Sequence, residues 1–180
     1  ASQPTIPPQP TYTPWIVYVT TTPSGSTIIT ANRPVNIAFI LDASTSMRAQ
    51  LGGQPKLRIA QEVMADLIQD LPANVRAGVW VYGHRVGDSD AEQAQSCQDI
   101  EELIPVGPLD KPTTIAKVRS FAAKGWTPMA QALRQAAAGL PEGADNSVIL
   151  VSDGKETCGG DPCAAAQELR AQKVSLTIHV

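Results

Sequence analysis

The chain has 180 residues with 14 Lys and Arg against 17 Asp and Glu, a formal net charge of −3, and 43% hydrophobic residues. That length holds one ordinary domain plus an arm and buries a core without help from disulfides. No run of five basic residues occurs, which argues against a nucleic-acid surface, and no apolar stretch reaches the roughly 18 residues of a membrane span.

Residues 1–34 read as an arm or linker. Pro4, Pro7, Pro8, Pro10 and Pro14 lie among Ser, Thr and Gln, a composition that favours extended chain over packed structure. The opening "ASQPTIPPQP" lacks the basic and apolar regions of a signal peptide, so a mature, processed or trimmed N-terminus is expected. In "WIVYVTTTPSGSTIIT" two β-branched runs flank Pro23-Ser24-Gly25, the pattern of a short hairpin or an extended edge.

From Val35 to Val180 strand and helix patterns alternate. "VNIAFIL" is a continuous apolar run of strand length, as expected of a strand covered on both faces. "KLRIAQEVMADLIQDL" repeats apolar residues at Leu57, Ala60, Val63, Met64, Leu67 and Leu71, a helical stripe stopped by Pro72. "VRAGVWVYG" and "IEELIPVG" follow as strands, then "PTTIAKVRSFAA" and "TPMAQALRQAAAGL" as helices, the second with Pro128 in its first turn. "SVILVSD", "PCAAAQELRAQ" and "VSLTIHV" complete the series as strand, helix and strand. The fold class is therefore α/β, a doubly wound and mostly parallel sheet with "IEELIPVG" as an antiparallel edge strand.

Such sheets bind ligands at the carboxyl ends of their strands. "FILDASTSM" ends there with Asp42, Ser44 and Ser46, "GWTPM" returns to the same rim with Thr127, and "SVILVSDG" brings Asp153. Five oxygen-bearing side chains from three loops are the chemistry of a hard divalent cation. Mg2+ is the expected ion, with Ca2+ or Mn2+ as alternatives. Neutral hydroxyl ligands leave it under-neutralised, so its open position seeks a carboxylate from a protein ligand.

These residues resemble a known family. Asp42-Ala-Ser44-Thr-Ser46 is similar to the DxSxS element of von Willebrand factor type A domains, Thr127 to the threonine of their second loop, and Asp153-Gly154 to their third element. Together the three resemble a complete metal-ion-dependent adhesion site. "CQDIEELIPVGPLD" and "SDGKETCGGDPCAAAQELRAQ" resemble bacterial, extracytoplasmic members. The resemblance implies a sheet ordered 3-2-1-4-5-6 and protein binding through the metal. It also implies a further helix and sixth strand that this sequence lacks; a shortened chain, processing, or completion by another segment would each account for that.

Each residue also has a plainer reading. Asp42 and Thr127 suit helix N-caps, and Asp153-Gly154 suits a turn. Trp126, His84 and Arg85 are candidates for a partner-binding rim, against packing for Trp126 and a solvated loop start for the other two. "DSDAE", residues 88–92, reads as a solvated acidic loop. Cys158 and Cys163, separated by "GGDP", are expected to form a local disulfide rather than a zinc site, which places the chain outside the cytosol and leaves Cys97 over. The functional expectation is a non-enzymatic, metal-dependent adhesion module, with a metal-assisted hydrolase or a purely structural metal site as alternatives. The apolar face and open edge of "VSLTIHV" invite a further strand to add.

Overall fold

A computed structural model of the chain describes residues 34–172 and the backbone of 176–179. Residues 1–33 of the predicted arm, its hairpin among them, lie outside the described residues. Five strands form one sheet: β1 (Val35–Asp42), β2 (Val75–Tyr82), β3 (Ile100–Gly107), β4 (Asp145–Val151) and β5 (Leu176–His179), in the order β3-β2-β1-β4-β5. β1 is parallel to β2 from Val35↔Val75 to Asp42↔Tyr82, and parallel to β4 from Val35↔Asp145 to Leu41↔Val151. β5 continues the parallel sheet, and β3 runs antiparallel to β2, as the alternation of the sequence predicts.

β1 is central because its side chains find apolar partners on both faces. Ala38 and Ile40 pack with Trp80, Leu133, Val148 and Leu150. Phe39 and Leu41, pointing the other way, pack with Leu57, Met64, Ile68 and Val81. Helices α1 (Lys56–Asp70) and α3 (Lys111–Val118) supply the second face. The first is covered by α4 (Met129–Ala138) and α5 (Pro162–Gln172), and the short α2 (Gln93–Ser96) lies in the β2–β3 loop. Each fully buried aliphatic of β1 contributes about 1.5–3 kcal/mol.

The stripe of α1 is rotated from its expected position. Leu57, Ala60, Gln61, Met64, Ala65 and Ile68 are buried, whereas Val63 and Leu67 are 47% and 42% exposed. The spacing 57-60-61-64-65-68 fits the period of 3.6 more closely. Gln61 is admitted because its Nε2 donates to the Phe121 carbonyl at 3.0 Å, which satisfies a polar group that burial would otherwise penalise. Pro128 precedes the first helical residue of α4, so Thr127 stands outside the helix rather than capping it.

Trp80 needs glycine on two sides. A Cβ on Gly78 would lie 2.8 Å from its ring, and a Cβ on Gly139 would lie 2.7 Å from it. The ring fills the space those side chains would take.

Candidate metal centre

The carboxyl end of β1 delivers Asp42 fully buried. Its Oδ1 accepts the Ser44 backbone N–H at 2.7 Å, which turns the chain sharply, and its Oδ2 accepts the Ser152 hydroxyl at 2.6 Å. Burial raises the Asp42 pKa, and the hydrogen bonds from Ser152 and Ser44 offset part of that rise. The Tyr82 phenol is pushed well above its ordinary value, first by burial and then by the neighbouring Asp42 charge.

Beyond the turn, Ser44 Oγ lies 3.1 Å from Ser46 Oγ, and Ser46 Oγ donates to Asp153 Oδ1 at 2.8 Å. The β1 and β4 loops are thus joined by a continuous chain of hydroxyls and carboxylates. Gly154 permits this approach, because a Cβ there would sit 3.1 Å from Ser46 Oγ. Asp153 Oδ2 in turn accepts Lys56 Nζ at 2.6 Å.

The third loop is fixed by its backbone. Gly125 donates to the Gly83 carbonyl at 2.8 Å, and Thr45 donates to the Gly125 carbonyl at 2.9 Å. Gly83 adopts φ 71°, with the Trp126 carbonyl 2.8 Å from where a Cβ would be, so a side chain there would be both strained and crowded. The Trp126 N–H donates to Ser96 Oγ, and the Thr127 N–H donates to Thr157 Oγ1, both at 2.9 Å. Ser44, Ser46, Trp126, Thr127, Gly154 and Lys155 line one cleft of about 270 Å³ together with Thr45, Asp88, Gly125 and Thr157. Thr127 is 4% exposed and Trp126 is half-buried.

Residues that sequence reading passed over hold these loops. Ser152 steadies Asp42, and Glu156 accepts the Ala130 N–H at 2.8 Å, placing an anion at the start of α4. Ser152 alone had a signal, since it adjoins Asp153 at a strand end.

His84 and Arg85 are not among the residues that line the cleft. His84 is turned inward, its side chain 9% exposed, with Nε2 3.0 Å from Glu101 Oε2 and its ring against Phe121. It is not a solvated loop start. Arg85 and Val86 wrap Asp99: Oδ2 accepts their backbone N–H groups at 2.7 and 3.1 Å, and Oδ1 accepts the Arg85 guanidinium. Burial alone would raise the Asp99 pKa, but these donors overcome it and lower the value below 3.8.

The expected Cys158–Cys163 disulfide is corrected. Cys97 bonds to Cys158, with their Cα atoms 5.5 Å apart, and Cys163 is free and exposed. Helix α5 begins at Pro162 and carries Cys163 away on its outer side, while α2 sets Cys97 over the β4 loop.

Among the described residues no three His, Cys, Asp or Glu side chains gather as a metal-binding group, so any ion at this rim would need the serine and threonine hydroxyls as well. The donor set fits a hard cation: two carboxylates and two hydroxyls lie in one hydrogen-bonded neighbourhood, with Thr127 on the wall of the same cleft.

Sheet, helices and rim cleft together define a Rossmann-like α/β domain with a cleft at the carboxyl ends of β1 and β4. A family model described as von Willebrand factor type A domain matches residues 36–178, and the chain belongs to that family. Uncharacterized protein YwmC of Bacillus subtilis (strain 168) is 31% identical over 153 residues, 83% of this chain; the chain spans 66% of that relative's length. The solved structure of von Willebrand factor type A from Catenulispora acidiphila superposes with a TM-score of 0.60 at 21% identity, covering 82% of this chain and 32% of that one. PilB minor pilin from Streptococcus sanguinis gives a TM-score of 0.54 at 19% identity, covering 70% and 31%. At these identities the structural likeness concerns the fold alone. Domains of the family generally bind proteins, and among the described residues no helix is long and apolar enough to cross a membrane.

Proposed function

We propose that this chain is a metal-ion-dependent protein-binding module. Asp42, Ser44, Ser46, Thr127 and Asp153 would hold a divalent cation, Mg2+ before Ca2+ or Mn2+, through hydroxyl oxygens and through carboxylates acting directly or across bound water. The ion would supply an electrophilic position that an acidic residue of a partner completes. One observation carries this reading: the Ser44–Ser46–Asp153 chain of contacts joins two loops beside the cleft wall formed by the third. The protein's own work is to keep that set assembled, with Asp42 locked by Ser152 and the Ser44 N–H. We read the module as non-enzymatic and extracytoplasmic. The Cys97–Cys158 disulfide and the fold likeness to a pilin support the location.

Calorimetric titration with Mg2+ tests the metal. The native chain should bind, and Asp153→Ala, which removes an exposed-side charge rather than a core residue, should lower affinity at least about tenfold, equal to 1.4 kcal/mol. Equal affinity in the two would refute the site. A panel of short peptides bearing a single Glu, presented with Mg2+ or with a chelator, tests the partner chemistry: binding should require the metal.

A further inference from the structure

The carboxylate of Asp153 already has a positive partner. Lys56 Nζ donates to Oδ2 at 2.6 Å while Ser46 holds Oδ1, and the Lys56 and Asp153 side chains are 32% and 16% exposed. The pair is only partly screened by water. Lys56 is the first residue of the 15-residue helix α1, which has no acidic residue in its first turn. A cation at that end opposes the helix dipole, so the helix itself gives no reason for a lysine there.

The chain is built to return Lys56 to the rim. Gly52 and Gly53, at φ 61° and 84°, turn a two-residue loop between Gln50–Leu51 and Gln54–Pro55, the geometry for which paired glycines are suited. The Lys56 N–H then donates to the Ala49 carbonyl at 2.9 Å. Helix α1 therefore starts beside the Thr45–Arg48 turn that carries Ser46.

We propose that Lys56 is a tethered cation that stands in for part of the metal's charge at Asp153 and thereby sets metal affinity. It holds the β1 and β4 loops together without an ion, and it opposes ion entry by repulsion and by occupying Oδ2. This rests on the metal reading above. Affinity for Mg2+ is accordingly tuned down by a residue outside the Asp42-to-Ser46, Thr127 and Asp153 loops.

The test is calorimetric titration with Mg2+ of the native chain, Lys56→Met, Lys56→Gln and Lys56→Arg, with thermal melts of each in chelator and in Mg2+. The two neutral variants should bind Mg2+ about tenfold tighter, as expected for removing one charge near a divalent ion. Lys56→Arg should remain near the native affinity. In chelator the neutral variants should melt lower than the native chain, and Mg2+ should raise their melting temperatures by more. Mg2+ binding by the native chain with no gain in either neutral variant overturns the proposal while leaving the metal site standing. No Mg2+ binding by any of the four overturns both.

Discussion

Asp99 shows what a single carboxylate does at this rim. It is 3% exposed, and its oxygens hold the Arg85–Val86 turn through two backbone N–H groups and one guanidinium. Because its folded pKa is lowered below 3.8, the stability it contributes is present above the unfolded value and is lost as pH falls through the folded one. The native chain should therefore lose stability more steeply below about pH 4 than Asp99→Asn. At neutral pH that variant should be less stable by about 1–3 kcal/mol, having exchanged a charged acceptor for a neutral one. Thermal melts across pH 2.5–7 give both quantities. A parallel pair of curves would deny Asp99 this role.

The same scale shows which site residues a sequence can disclose. Asp42, Ser44 and Ser46 are legible because three side chains in five residues at a strand end announce themselves. Lys56 is not, because its partner lies 97 positions away, and only the paired-glycine turn returns it to the rim. His84 misleads for a related reason. It follows Gly83 at a strand end and precedes Arg85, which reads as a loop start, yet Glu101 and Phe121 enclose it from other elements.

Among the elements, β1, β2 and β4 are readable as buried strands from their apolar runs alone, since both faces of a central parallel strand meet helices. The face of α1 is not fixed by listing apolar residues. Gln61 is buried and Val63 is exposed, because the helix period and a hydrogen bond to Phe121 together outweigh side-chain type. Packing between elements is close around Trp80. Gly139→Ala would ordinarily favour helix at the end of α4, yet its Cβ would lie 2.7 Å from the Trp80 ring. The substitution should cost about 1–3 kcal/mol. Chemical denaturation monitored by near-ultraviolet circular dichroism should show a lower midpoint, and a raised midpoint would mean that the ring yields without loss.

For the whole molecule, the disulfide is the feature that local sequence conceals most. Cys158 and Cys163 are near in the chain, but pairing follows distance in space, and Cys97 reaches Cys158 across a sequence separation of 61. Closing a loop of that size restricts the unfolded chain and is worth about 4 kcal/mol on the chain-entropy account. Alkylation of the unfolded, unreduced protein should label Cys163 alone, and reduction should expose all three cysteines and lower the melting temperature. Labelling of Cys97 without reductant would contradict the pairing.

That bridge also determines what survives cutting. The stretch it encloses contains β3, α3, α4 and β4, and with them Thr127 and Asp153. A protease that nicks an exposed point there, such as Arg119–Ser120 just after α3, yields two polypeptides instead of one. The first keeps Asp42, Ser44, Ser46 and Cys97; the second keeps Asp153 and Cys158. The sulfur–sulfur bond still joins them, so the hydroxyls of one fragment stay within reach of the carboxylate of the other. In an environment with proteases and without strong reductants, the rim outlasts the continuity of its own backbone.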